Sequence, residues 1–174
     1  MFIKNILAAI TMTLTLSACL YNPVANHNGS IASLTDSTQR LSNTKVEFYT
    51  VNSVNGNALE NGLKRGGDIS TGRSNKRQST TTLSRGIPAD QPIQIEIAGT
   101  LRRVLGFRST LESSRDISGV ITFTAEPNKN YRVNGELNDS YRAVWIEDTQ
   151  TGEVVSDKIE ILGSDPERSP KHNS

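Results

Sequence analysis

Cysteine is nearly absent: Cys19 is the only one among 174 residues. No disulfide can therefore close within the chain, and no zinc pattern exists. Histidine is almost as scarce, and its two copies, His27 and His172, fall toward the ends, poorly placed for a general base or metal ligand held on a rigid scaffold. Neither sign of charge dominates, with 19 basic against 18 acidic side chains, which argues against a generic nucleic-acid binder dependent on many phosphate contacts. A permanent membrane-spanning helix wants roughly 20 apolar residues, and the one apolar stretch here stops at Cys19 and gives way to Asn22, Pro23, Asn26, His27 and Asn28. There is no phosphate loop, dinucleotide fingerprint or Gly-x-Ser-x-Gly elbow. Nor does any segment longer than about ten residues carry a convincing helical stripe, so helices should be short or absent, with Leu101 to Arg115 left open as partly helical.

What is present begins at the N-terminus. Lys4 supplies a positive start, Ile6 through Leu16 an uncharged apolar stretch, and Ser17 and Ala18 small residues after it, the layout of an export signal. The run Leu16-Ser17-Ala18-Cys19 resembles the lipobox of bacterial lipoproteins, in which a leucine three positions before an obligatory cysteine and two small residues between them define a cleavage site. That resemblance implies a thioether-linked diacylglycerol on Cys19, cleavage before it, and usually a third acyl chain on the new amino terminus. Two or more chains anchor a protein stably, whereas one does so only marginally. Leu20 stands where an aspartate often marks inner-membrane retention in enteric-type lipoproteins. The resemblance therefore implies an outer-membrane anchor, with the domain facing the periplasm or the surface.

Without residues 1–18 the chain carries 18 basic and 18 acidic side chains, because Lys4 is the only charge removed. What is left is enough for one domain. Charge is unevenly spread: from Lys64 to Arg108 there are nine basic and three acidic residues, and from Ser109 onward twelve acidic and seven basic.

The dominant period is two. Lys45 to Val51, Pro92 to Ala98, Val120 to Ala125, Tyr131 to Leu137, Tyr141 to Glu147 and Val154 to Leu162 read as half-buried strands, with Thr100 to Leu105 as one more. Pro127 to Asn130, Asn138-Asp139 and Thr149 to Gly152 supply turn chemistry between them, and Asn55-Gly56 is a tight-turn dipeptide. Six to seven such strands predict an all-β fold, an antiparallel β-sandwich. The expected layout is a signal peptide over 1–18, a lipidated flexible tether over 19–44, the sandwich over 45–162 and a disordered tail over 163–174.

The segments Val51 to Gly56, Ile93 to Ile97, Phe123 to Val133 and Trp145 to Val155 resemble, taken in order, a group of small bacterial lipoproteins whose domains are similar to PEGA-type or transthyretin-like β-sandwiches. The likeness implies a fold and a compartment, without a reaction.

Candidate sites are few. Cys19 is the expected lipid attachment point. Residues 61–80 read as a long polar loop whose Lys64, Arg65, Arg73, Lys76 and Arg77 could contact anionic phospholipid, an anionic glycolipid or an acidic envelope protein; the bland reading is a solvated loop. Glu112 with Asp116, Glu136 with Asp139 and Glu147 with Asp148 are conceivable acid–base pairs, although adjacent strand residues point to opposite faces. A calcium loop over Glu147 to Glu153 lacks spaced aspartates, and solvated turn is the better reading. Trp145 reads as core more readily than as a platform for sugar or peptide. No cofactor, metal or nucleic-acid partner is expected. The sequence thus favours a non-catalytic, membrane-anchored interaction or structural module; alternatives are a subunit of an envelope secretion machine and an enzyme or inhibitor acting on cell-wall glycans.

Overall fold

The computed structural model describes residues 21–42, 45–66, 82–105, 108–111 and 116–163. They form two sheets. Strands are β1 (Ile31–Thr35), β2 (Ser37–Arg40), β3 (Lys45–Val54), β4 (Asn57–Ala58), β5 (Ser84–Pro88), β6 (Ile93–Leu105), β7 (Arg108–Leu111), β8 (Ile117–Phe123), β9 (Asn130–Leu137), β10 (Tyr141–Asp148) and β11 (Ile159–Leu162), with one short helix, α1 (Gly62–Gly66). The first sheet runs β11-β10-β9-β1-β5, and the second runs β2-β3-β6, with β4 also on β3 and both β8 and β7 along the far side of the long β6. Every strand pair is antiparallel except β1 with β9. The architecture is an all-β sandwich.

Alternation in the sequence decides which side chains meet between the sheets. Ile93, Ile95, Ile97 and Leu101 of β6 point inward with Tyr49, Val51 and Val54 of β3, and face Tyr131, Val133 and Leu137 of β9 and Val144 and Ile146 of β10. Each such aliphatic side chain contributes roughly 1.5–3 kcal/mol on full burial. The Tyr49 ring lies so close to β9 that a Cβ at Gly135 would sit 2.5 Å from one of its carbons, so only glycine leaves room there. Its hydroxyl donates to Glu47 Oε2 at 2.7 Å. Phe123 and Tyr131 meet edge to face, 5.1 Å between ring centres.

Asn55 and Gly56 both have positive φ, 50° and 76°, the signature of the two-residue turn that joins β3 to β4. Just before it the register of β3 against β6 slips between Val51 and Ser53, and Asn52, the extra residue, uses its side-chain oxygen to accept from Asn61 Nδ2 at 2.9 Å. Asn61 in turn accepts the Lys64 amide at 2.9 Å, which caps α1.

Several expectations are corrected here. Residues 31–40, read as tether, are β1 and β2, and β1 lies between β9 and β5. The serine- and threonine-rich composition concealed a strand whose inward positions, Ala32 and Leu34, are buried, while its outward hydroxyls pair across strands, Ser33 Oγ with Ser84 Oγ at 2.8 Å. Strand β5 was missed for the same reason. Residues 101–105 and 108–111, held open as helical, form a hairpin of β6 and β7. Gly163, expected to begin a disordered tail, donates its amide to Ser140 O at 2.8 Å. Residues 1–18, Cys19 and 164–174 lie outside the described residues.

Where the chain passes from β1 in one sheet to β2 in the other, Asp36 is only 2% exposed. One carboxylate oxygen accepts from Val51 N at 2.9 Å and Arg85 Nη1 at 2.9 Å, the other from Gly62 N at 2.8 Å and Arg85 Nη2 at 3.2 Å. A single side chain thereby ties β1, β3, β5 and the start of α1 together.

Candidate functional site

Of the basic residues singled out in the 61–80 loop, Lys64 is exposed on α1 and its ammonium donates to Leu59 O at 3.4 Å. Arg65 belongs to α1, and Arg73, Lys76 and Arg77 lie outside the described residues, as does the lipid-attachment candidate Cys19. His27 uses its ring Nε2 on Ser30 O at 2.9 Å, a local contact within the N-terminal segment.

Of the carboxylate pairs, Glu147 and Asp148 are not brought together as acid and base. Glu112 lies outside the described residues, while Asp116, directly before β8, is half-buried. Glu136 accepts from Asn138 Nδ2 at 2.7 Å. Glu147 and Asp148 point to opposite faces of β10, and each is held by its own partners. Asp148 accepts the amides of Gln150 at 2.7 Å and Thr151 at 3.3 Å on one oxygen and Lys129 Nζ at 3.1 Å on the other. N–H donors, two of them neutral amides and one the Lys129 ammonium, thus occupy the oxygens a cation would need, and the Glu147 to Glu153 segment is a side-chain-organised turn. No group of three or more potential metal ligands occurs among the described residues.

Glu147 anchors a different arrangement, on the outward face of the five-stranded sheet. It is 5% exposed and accepts from Arg132 Nε, from Asn134 Nδ2 at 2.9 Å and from Trp145 Nε1 at 3.2 Å. Burial alone would push its carboxyl up, but the hydrogen bonds from Asn134, Arg132 and Trp145, with the Arg132 charge, outweigh it and hold it below the usual carboxylate range. A carboxylate so committed stays ionised and cannot serve as a general acid near neutrality.

Trp145, read as core from its aliphatic neighbours, is on this outward face instead. Val144 and Ile146 take the inward positions, and period two puts the tryptophan opposite them. The ring is half-buried, its Nε1 is fixed by Glu147, and the Lys158 ammonium lies 4.6 Å from the ring centre, a cation–π contact. Lys158 lies in the irregular stretch between Val154 and Ile159, whose two ends pair with β10 and whose Val155 and Ser156 are hydrogen-bonded to Ile146.

On the same face, toward β5, a shallow cleft of about 390 Å³ is lined by Ile31, Ala32, Ser33, Ser84, Arg85, Gly86, Asn128, Lys129 and Asn130. Its lining contains no carboxylate, and its two charged residues are both cationic. Beside it the N-terminal segment settles on the sheet. Val24 lies against Gly86, where an added Cβ would approach its Cγ2 to 3.2 Å. Turn bonds from Ala25 N to Asn22 O and from His27 N to Val24 O, at 3.1 and 3.2 Å, shape that segment. Sequence reading missed this contact because it depends on a bare glycine of β5, which neighbours the strand the segment enters but lies more than 50 residues downstream of it. No protein family matches the chain, and neither a curated protein nor a solved structure shows significant similarity to it.

Proposed function

We propose that this chain is a bacterial envelope lipoprotein, anchored in the outer membrane through acyl chains on Cys19, whose β-sandwich acts as a non-catalytic interaction or structural module. The observation that carries this reading is the run Leu16-Ser17-Ala18-Cys19 directly after an apolar segment with Lys4 ahead of it. Two acyl chains suffice for stable anchoring. Two features of the folded part support the non-catalytic half. The carboxylates of Glu147 and Asp148 are spent on arginine, lysine, amide and indole donors that build the structure. The surface around Trp145 is a fixed arrangement of ring, guanidinium and amide on strands, the kind of rigid element on which contact sites are built.

The test is membrane fractionation of the full chain beside Cys19→Ala, with mass spectrometry of the mature amino terminus. The wild type is expected in the membrane fraction with an acylated first residue, and the variant as an unprocessed precursor lacking acyl groups. An unacylated thiol in the wild type, or normal processing of the variant, would defeat the reading.

A further inference from the structure

We infer that the bilayer itself is the partner of one face of this domain, the outward surface of β1 and β5 around Ile31 and the neighbouring cleft; the inference rests on the proposed acylation of Cys19. A lipoprotein domain on a long flexible tether would present no preferred face to its membrane. Here the tether is almost used up. Tyr21 to Ser30 already belong to the described structure, with Val24 set against Gly86 of β5 and two successive turns closed by backbone hydrogen bonds.

Only Leu20 separates Cys19 from Tyr21, and two residue steps span at most about 7 Å of extended chain. The glycerol carrying the acyl chains sits at the boundary of the hydrocarbon, beneath a polar layer about 5–7 Å deep on each side. Tyr21 is therefore held at the level of the head groups, and the surface beside Val24 comes down with it.

That surface suits the place. Ile31 is an aliphatic side chain 48% exposed on the outward face, and the cleft next to it offers serine hydroxyls and asparagine amides, its two cations being already paired, Arg85 with Asp36 and Lys129 with Asp148. Hydroxyls and amides can both donate to phosphate and glycerol oxygens. The outward carboxylates of this sheet stand on other strands: Glu136 on β9, Glu147 on β10, held by Arg132, Asn134 and Trp145, and Glu160 on β11. β5 is itself the edge of its sheet, so its lateral approach to a flat surface is not obstructed by another strand of that sheet.

The experiment uses the full, natively acylated protein reconstituted into vesicles of phosphatidylethanolamine and phosphatidylglycerol. Single cysteines are introduced at Ile31→Cys, Val120→Cys and Leu162→Cys, three exposed aliphatic positions, and labelled with a polarity-sensitive fluorophore. Acylation leaves no thiol on Cys19, so each label is unique. The label at 31 is expected to shift to the blue and to be quenched by head-group-labelled lipid, while those at 120 and 162 keep their aqueous emission and escape quenching. A Gly/Ser spacer inserted between Leu20 and Tyr21 should reduce the quenching at 31. Equal emission and quenching at all three sites, or quenching at 31 indifferent to the spacer, would overturn the membrane seat while leaving the anchor intact. Labelling of Cys19 itself in the protein without added cysteines would remove the anchor, and with it this inference.

Discussion

At the scale of single residues, Asp36 is a buried polar side chain on which β3, β5 and the start of α1 converge. It accepts two backbone amides and both terminal nitrogens of Arg85, and Arg85 in turn donates to Glu60 O at 3.2 Å. With side chains 1% and 10% exposed, neither charge can turn to water when its partner is removed. Asp36→Ala and Arg85→Ala are each expected to cost about 3–5 kcal/mol, while the paired replacement by apolar residues of similar size recovers much of that loss. Urea titration of the mature domain reads both, and a loss below about 1 kcal/mol for Asp36→Ala would show that solvent reaches the pair. Nothing in the sequence marked this interaction. An aspartate among serines and threonines looks like any turn residue, and its partner lies 49 positions away.

At the scale of elements, the sequence revealed strands wherever aliphatic residues alternate with polar ones, as in Ile93, Ile95 and Ile97 of β6 or Tyr131 and Val133 of β9. It failed for β1 and β5, where Ser33, Thr35 and Ser84 occupy the outward positions and small or single aliphatic residues the inward ones. Such strands are defined by their neighbours, since hydroxyl pairing and the hydrophobic cover of Leu34 exist only once β9 and β5 flank β1. The outward orientation of Trp145 was also hidden: alternation fixes that Trp145 opposes Val144 and Ile146, but which face is inside depends on the whole strand. The consequence for β1 is testable. A chain shortened to begin at Lys45 keeps all the strands the sequence displayed, yet it lacks the strand between β9 and β5 and the Asp36 ties. It is expected to show no cooperative unfolding by circular dichroism, whereas a chain beginning at Tyr21 should unfold in one transition.

At the scale of the whole molecule, stability should be bounded on both sides of neutrality. Glu147 is held below the usual carboxylate range as described, and Asp148 is held there chiefly by the Gln150 amide, with Lys129 adding to it. Their contribution is present above the ordinary carboxylate pKa of about 4 and is lost as pH falls through the lower folded values. Tyr49 works in the opposite sense. Burial first, then the hydrogen bond to Glu47, raises its phenol far above the ordinary range, so its contribution is whole below about pH 10 and is lost as pH rises beyond that. Denaturant midpoints measured across pH should therefore form a plateau with two falling limbs. Tyr49→Phe is expected to flatten the alkaline limb, and an unchanged limb would locate the titration elsewhere. The parallel pairing of β1 with β9 acts on another property of the molecule, its order of assembly. Thr35 finds its partner Arg132 roughly 100 residues downstream, and such distant pairing is slow to form. A polypeptide emerging amino end first can pair β1 with β5 once about half of it has appeared, but that pair joins the rest of its sheet only after β9 follows, at about three quarters.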